Sequence, residues 1–121
     1  KNITILGTAF KPNTDDIRNS IAIELIKKFL KKKVRITIHD PKAIENTKKI
    51  FGEKINYAKT IEDALSKSQC VIIMTQWKQY KKLNNNQFKY MKRKFVIDCR
   101  RMLVKKQLDV NYYAIGVGKE N

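Results

Sequence analysis

At 121 residues, 42% of them hydrophobic, the chain has room for one domain with a real core and not for two. Lys and Arg number 27 against 11 Asp and Glu, a formal net charge of +16 that makes anionic partners a serious expectation. No apolar run approaches the roughly 18–20 residues needed to span a bilayer, and Cys70 and Cys99 lack both CxxC spacing and clustered histidines, which argues against a membrane helix, a zinc ribbon or a thioredoxin-type pair.

Asn2 to Ala9 reads as a buried strand, because Ile3, Ile5 and Leu6 with the β-branched Thr4 form a short apolar run closed by Gly7. Pro12 then stops regular structure and pushes Lys11 toward an extended conformation, so the Lys11 side chain projects from the strand's carboxyl end. The loop from Lys11 to Arg18 sets out one ammonium, two carboxylates and one guanidinium. Two readings stand side by side: a ligand site, or an Asp16–Arg18 pair that merely decorates a helix entrance. Ser20, Asn19 or Asp16 could each cap the helix that follows, whose first N–H groups could equally receive a phosphate.

Ser20 to Lys32 carries Ile21, Ala22, Leu25, Ile26, Phe29 and Leu30 at helical spacing, with lysines toward its carboxyl end, where the helix dipole favours cations. Lys33 to His39 alternates as a half-buried strand and ends at Asp40-Pro41, so the lone His39 belongs to no ligand cluster. A second helix runs from about Lys42 to Phe51 and stops at Gly52. Lys54 to Ala58 is a short strand, and Thr60 with Asp63 resembles a helix cap ahead of Ile61, Ala64 and Leu65.

Gln69 to Thr75 is apolar on both faces and belongs in the middle of a sheet. Trp77, Tyr80 and Leu83 suggest a short helical turn, which Asn84-Asn85-Asn86 breaks. Phe95 to Ile97 is another buried strand, ending at Asp98-Cys99-Arg100-Arg101, and Tyr112 to Val117 is the last, bounded by Gly116 and Gly118. The expected fold is therefore α/β: one three-layer α/β/α domain over residues 1–121, with a mostly parallel, doubly wound, Rossmann-like sheet of five to six strands. In such a sheet Phe10 and Lys11, Asp40, Thr75 to Trp77, and Asp98 to Arg101 share the carboxyl edge, where open α/β sheets bind ligands. The basic residues are scattered and no recognition motif accompanies them, so a solvated surface is the first reading of the charge. A basic module that binds nucleic acid non-specifically is the alternative.

Gly7-Thr8-Ala9-Phe10-Lys11-Pro12-Asn13-Thr14-Asp15-Asp16-Ile17-Arg18-Asn19-Ser20 resembles the G-x-A-F-K-x-x-T-D-D-x-R-x-S signature that opens the carboxyl-terminal domain of the UDP-glucose/GDP-mannose dehydrogenase family. Asp40-Pro41, Thr75-Gln76-Trp77 and Asp98-Cys99-Arg100 agree with that family in order and spacing. The resemblance implies a UDP-sugar-binding domain of an NAD-dependent enzyme that oxidises the sugar's C6 alcohol to a carboxylate in two hydride transfers, as in polysaccharide biosynthesis. It implies that Phe10, Lys11 and Arg100 contact the nucleotide sugar, with Arg101 a weaker candidate. Arg18 is then expected to reach the NAD, bound mainly by an amino-terminal domain.

The family's Gly-rich dinucleotide fingerprint and its nucleophilic cysteine match nothing in this chain. The expectation is thus a piece of a longer, cytoplasmic and homodimeric enzyme, without catalytic residues or a metal site of its own, inactive and monomeric when alone, and completed by the amino-terminal and central domains.

Overall fold

A computed structural model gives the structure of the protein and describes residues 1–115. Six strands form one sheet: β1 (Asn2–Leu6), β2 (Arg35–His39), β3 (Asn56–Tyr57), β4 (Cys70–Ile73), β5 (Phe95–Asp98) and β6 (Asn111–Ala114). Their order is β3-β2-β1-β4-β5-β6 and every neighbouring pair is parallel. Chain order reverses between β1 and β4, which makes the crevice beyond their carboxyl ends the switch point of a doubly wound sheet. The register brings Leu6 beside His39 and Ile73, and Ile73 beside Asp98, so the residues after each of these four strands meet along one edge.

Successive residues of β1 point to opposite faces, and each face has its own apolar layer. Ile5 joins Ile36, Ile38 and Ile72 under α1 (Ile21–Lys31) and α2 (Ile44–Phe51), whose Ile23, Ile26 and Phe51 complete that layer. Leu6 joins Val71, Ile73 and Val96 against Leu65 of α3 (Ile61–Leu65), Tyr80 of α4 (Lys78–Lys81) and Phe88 of α5 (Asn85–Phe88). The expected three-layer architecture is the observed one.

Element boundaries differ from the sequence reading for local reasons. β1 stops at Leu6 because Gly7 turns with φ +96°. Only two residues of the Lys54–Ala58 stretch pair as a strand. The asparagine run does not simply break structure: Asn84 caps α5, accepting from the Asn86 N–H while Gln87 Oε1 accepts from the Asn84 N–H. The last strand pairs over Asn111–Ala114, and Gly116, Val117 and Gly118 lie outside the described residues. No helix among the described residues is long and apolar enough to cross a membrane.

His39, at the end of β2, is buried, and Tyr80 from α4 meets it across the layer. The Tyr80 hydroxyl donates to the His39 carbonyl at 2.9 Å, which leaves Nδ1, 2.7 Å away, to donate its own hydrogen to the hydroxyl oxygen. Burial lowers the His39 pKa from 6.5, against the opposing pull of Asp40 and Glu62. The unfolded chain therefore binds a proton that the folded chain refuses, and the associated stability is complete above pH 6.5 and lost as pH falls below it. Thermal melts should give a lower Tm at pH 5.5 than at pH 7.5, and His39→Gln should shrink that difference. An undiminished difference in His39→Gln would assign the effect elsewhere.

Candidate functional site

The Gly7–Ser20 loop leaves β1 at the switch point. Asn13 (φ +68°) and Asn19 (φ +58°) take its left-handed positions, which asparagine tolerates better than most residues. Of the three candidate caps the structure selects Ser20, whose Oγ accepts from the Ile23 N–H at the start of α1 and donates to the Thr8 carbonyl. Asp16 instead holds Arg18. Its two oxygens accept from Nε at 3.0 Å and Nη2 at 2.8 Å, and Oδ1 also accepts the Arg18 amide. These bonds to Arg18 bring the Asp16 carboxyl down to about 2. The Asp16–Arg18 pairing expected as the plainer alternative is thus present, yet the Arg18 side chain remains 86% exposed and can still meet a second anion.

The carboxyl edge brings two of the expected site residues together. Phe10 and Arg100 both line a notch of about 60 Å³ with Met74, Asn19, Ser20 and the first residues of α1, Ile21 and Ala22. Arg100 is aimed there by two bonds: its amide donates to Asp98 Oδ1 and its Nε to the Met74 carbonyl at 2.8 Å. That leaves the two terminal amino groups of its guanidinium for an incoming oxyanion. Phe10 is about half exposed, and Lys11 beside it is exposed.

Arg18 does not share the notch. It lines a separate open groove with Thr14, Asp15, Asn46 and Lys49. Arg101 turns away as well: it sits in the left-handed region at φ +55° and its Nη1 approaches the Ala114 carbonyl at 3.4 Å. A wider groove of about 770 Å³ lies at the carboxyl ends of α1 and α2, lined by Lys27, Lys28, Lys31 and Lys54 over Leu30, Ile50 and Phe51, and it contains none of these residues.

Two buried carboxylates hold the edge in place. Asp98, fully buried, accepts from the Arg100 and Leu103 amides and the Tyr112 hydroxyl, so one side chain forms the turn that carries Arg100. Asp40 accepts five hydrogen bonds. Oδ2 takes the Thr8 and Ala9 amides and the Trp77 indole N–H, and Oδ1 takes the Lys42 and Ala43 amides. The sequence placed Asp40 and Trp77 at this edge but not in contact. No local pattern signals a bond between residues so far apart in the chain.

Cys99 is buried and Cys70 half-buried, and burial pushes both thiols up from their ordinary value.

This arrangement can be set beside known proteins. The family model for the UDP-binding domain of the UDP-glucose/GDP-mannose dehydrogenase family matches residues 4–105. The UDP-glucose 6-dehydrogenase of Rickettsia felis is 36% identical, over 96% of this chain and 27% of its own length. UDP-glucose 6-dehydrogenase AglM of Haloferax volcanii is 37% identical, over 88% of this chain and 24% of its own. Among solved structures, a UDP-glucose dehydrogenase from the archaeon Pyrobaculum islandicum superposes with a TM-score of 0.79 at 32% identity, covering 93% of this chain and 24% of that one. The UDP-N-acetyl-mannosamine dehydrogenase Cap5O of Staphylococcus aureus has the same fold, with a TM-score of 0.76 at 24% identity over 94% of this chain and 26% of that one. None of these comparisons supports a nucleic-acid-binding module. The chain spans about a quarter of the length of the curated relatives it matches. With the match running from β1 past the Arg100 turn, the chain belongs to the UDP-glucose/GDP-mannose dehydrogenase family, whose UDP-binding domain it carries.

Proposed function

We propose that this chain binds the UDP half of a nucleotide sugar for an NAD-dependent dehydrogenase that oxidises the sugar's primary alcohol to a carboxylate, and that the reacting groups lie in the rest of the enzyme. The observation that carries this reading is the convergence of Phe10 and Arg100 on one notch at the switch point, beside the capped start of α1. A notch of about 60 Å³ cannot enclose a nucleotide. The diphosphate would lie across it, with oxygens on the Arg100 guanidinium, while Lys11 supplies a mobile charge from the rim. Arg101, turned toward Ala114, is the weaker contact.

NAD, when bound, takes up the hydride. Arg18 fits it as a single contact, since Asp16 fixes the guanidinium and the side chain faces solvent, and the groove around it sets the carboxylates of Asp15 and Asp16 beside Lys49. Most of the dinucleotide is then held by other parts of the enzyme, as is the catalytic thiol. The amino-terminal and central domains, and a second subunit of a homodimer, are the partners this reading requires.

Titration calorimetry with UDP tests it. The chain should bind UDP, and Arg100→Ala should raise Kd about 30-fold, the loss of charge-assisted hydrogen bonds worth about 2 kcal/mol. Lys11→Ala should raise it about tenfold, as loss of one exposed charge contact. No NADH should form when UDP-glucose and NAD are added to this chain alone. Steady turnover would refute the assignment of the chemistry to other parts. Salt-steep binding of duplex DNA without competition from UDP would overturn the reading in favour of a nucleic-acid module.

A further inference from the structure

The turn that delivers Phe10 to the notch is pinned at every amide. Gly7 N–H donates to the His39 carbonyl, Thr8 and Ala9 N–H to Asp40 Oδ2, and Phe10 N–H to the Asp16 carbonyl. Two carbonyls are held too: Thr8 O accepts from Ser20 Oγ at 2.8 Å, and Ala9 O accepts from Thr75 Oγ1 at 3.0 Å. The Thr75 bond joins residues 66 apart in sequence and sits on the peptide plane from which Phe10 starts.

Holding groups and presented groups are sharply divided. Asp40 is 2% exposed and Thr75 is 1% exposed, so neither can touch a ligand, whereas Phe10 is 48% exposed. A β-turn needs one or two such bonds, not six, and the surplus is spent on a stretch whose next side chains face solvent.

We propose that Thr75 and Asp40 are positioning residues of the ligand site: Thr75 holds the Ala9–Phe10 peptide by its carbonyl from the β4 side and Asp40 holds the two peptides before it by their amides from the β2 side, so that Phe10 and Lys11 meet the nucleotide in a preformed orientation. This rests on the UDP reading above. A contact group that is ordered before binding loses little freedom on binding, and that saving appears as affinity.

Thr75→Val separates positioning from folding, because it keeps the side-chain shape and removes only the hydroxyl that holds Ala9. The expected result in calorimetry is a UDP Kd raised about tenfold, as for one lost hydrogen bond in a rigid site. Thr75→Ser, which restores the hydroxyl, should bind UDP within about twofold of the parent chain. Ile26→Val in α1, which loosens the core away from the loop, should also stay within about twofold. Trp77 is the only tryptophan, and its indole N–H bonds to Asp40. Its single indole resonance should therefore hold its position in Thr75→Val, a sign that the Asp40 cluster survives while affinity falls.

Unchanged UDP affinity in Thr75→Val, or an equal loss in Ile26→Val, overturns the proposal. If Thr75→Val does not fold, Thr75→Ala removes the same hydroxyl with less bulk instead. A Kd raised about tenfold then supports the proposal, and parental affinity overturns it. Absence of UDP binding by the parent chain defeats the UDP reading, and this inference with it.

Discussion

Asp40→Asn should lower the free energy of unfolding by about 4 kcal/mol, a large fraction of the total for a domain of this size. The substitution preserves shape and volume, so the loss is one of hydrogen bonding alone. Whichever way the amide is turned, its NH2 must face donors: either the Lys42 and Ala43 amides, or the Thr8 and Ala9 amides and the Trp77 indole. At least two N–H groups, one of them fully buried, thus lose a charged acceptor and meet another donor. Urea melts should show a lower midpoint with an unchanged m-value, and Tm should fall by on the order of 15 °C. Asp40→Ala, which strands all five donors, should be worse. A loss below about 1 kcal/mol in Asp40→Asn would mean that water or local rearrangement satisfies these groups, and that Asp40 does not tie the loop to α2.

Gly7→Ala should cost about 4 kcal/mol, from backbone strain and overlap acting together. At φ +96° a side chain is already disfavoured. A methyl group there would overlap the Thr75 Cβ and Oγ1 and come within 2.8 Å of the Thr75 backbone nitrogen. Side-chain rotation relieves only part of this, because the backbone contact forces the segments after β1 and β4 apart. Gly52 supplies the internal control. Its φ is also positive, at +53°, but an added Cβ would meet nothing within 4 Å, so Gly52→Ala should cost only about 1 kcal/mol. Equal losses at the two positions, measured by urea melts, would mean that the close approach of Gly7 to Thr75 adds no cost of its own.

These two positions mark where the sequence could and could not be read. Gln69 to Thr75 declared a central strand because it is apolar on both faces, and Val71, Ile72 and Ile73 indeed lie buried in β4. Strict alternation declared β2, and spacing declared α1. Those signals are local and survive folding unchanged. The start of α2 did not follow its local sequence: the helix begins at Ile44, after an Ala43 that has no capping side chain, because the capping acceptor is Asp40 upstream. The triple asparagine likewise favours a break in isolation, yet Asn84 paired with Gln87 starts a helix whose Phe88 is fully buried.

The candidate site shows the same division. Phe10 and Arg100 were brought to one edge by topology alone, since parallel strands align their carboxyl ends. That Arg100 is steered by the Met74 carbonyl, and Arg101 toward Ala114, follows from backbone geometry at the Asp98 turn, which no spacing rule encodes.

The parallel sheet also sets the order in which this edge can come into being. β1 begins at Asn2, but its partner β4 begins at Cys70, so β1 has no neighbour on that side until the intervening helices and strands have been made. Contacts of such long sequence separation are slow to close, because the intervening chain must lose its freedom first. Thr75 reaches Ala9 only after that closure. The loop after β1 is therefore among the last parts of this domain to take its final shape, and β1 must wait through synthesis with its β4 side uncovered.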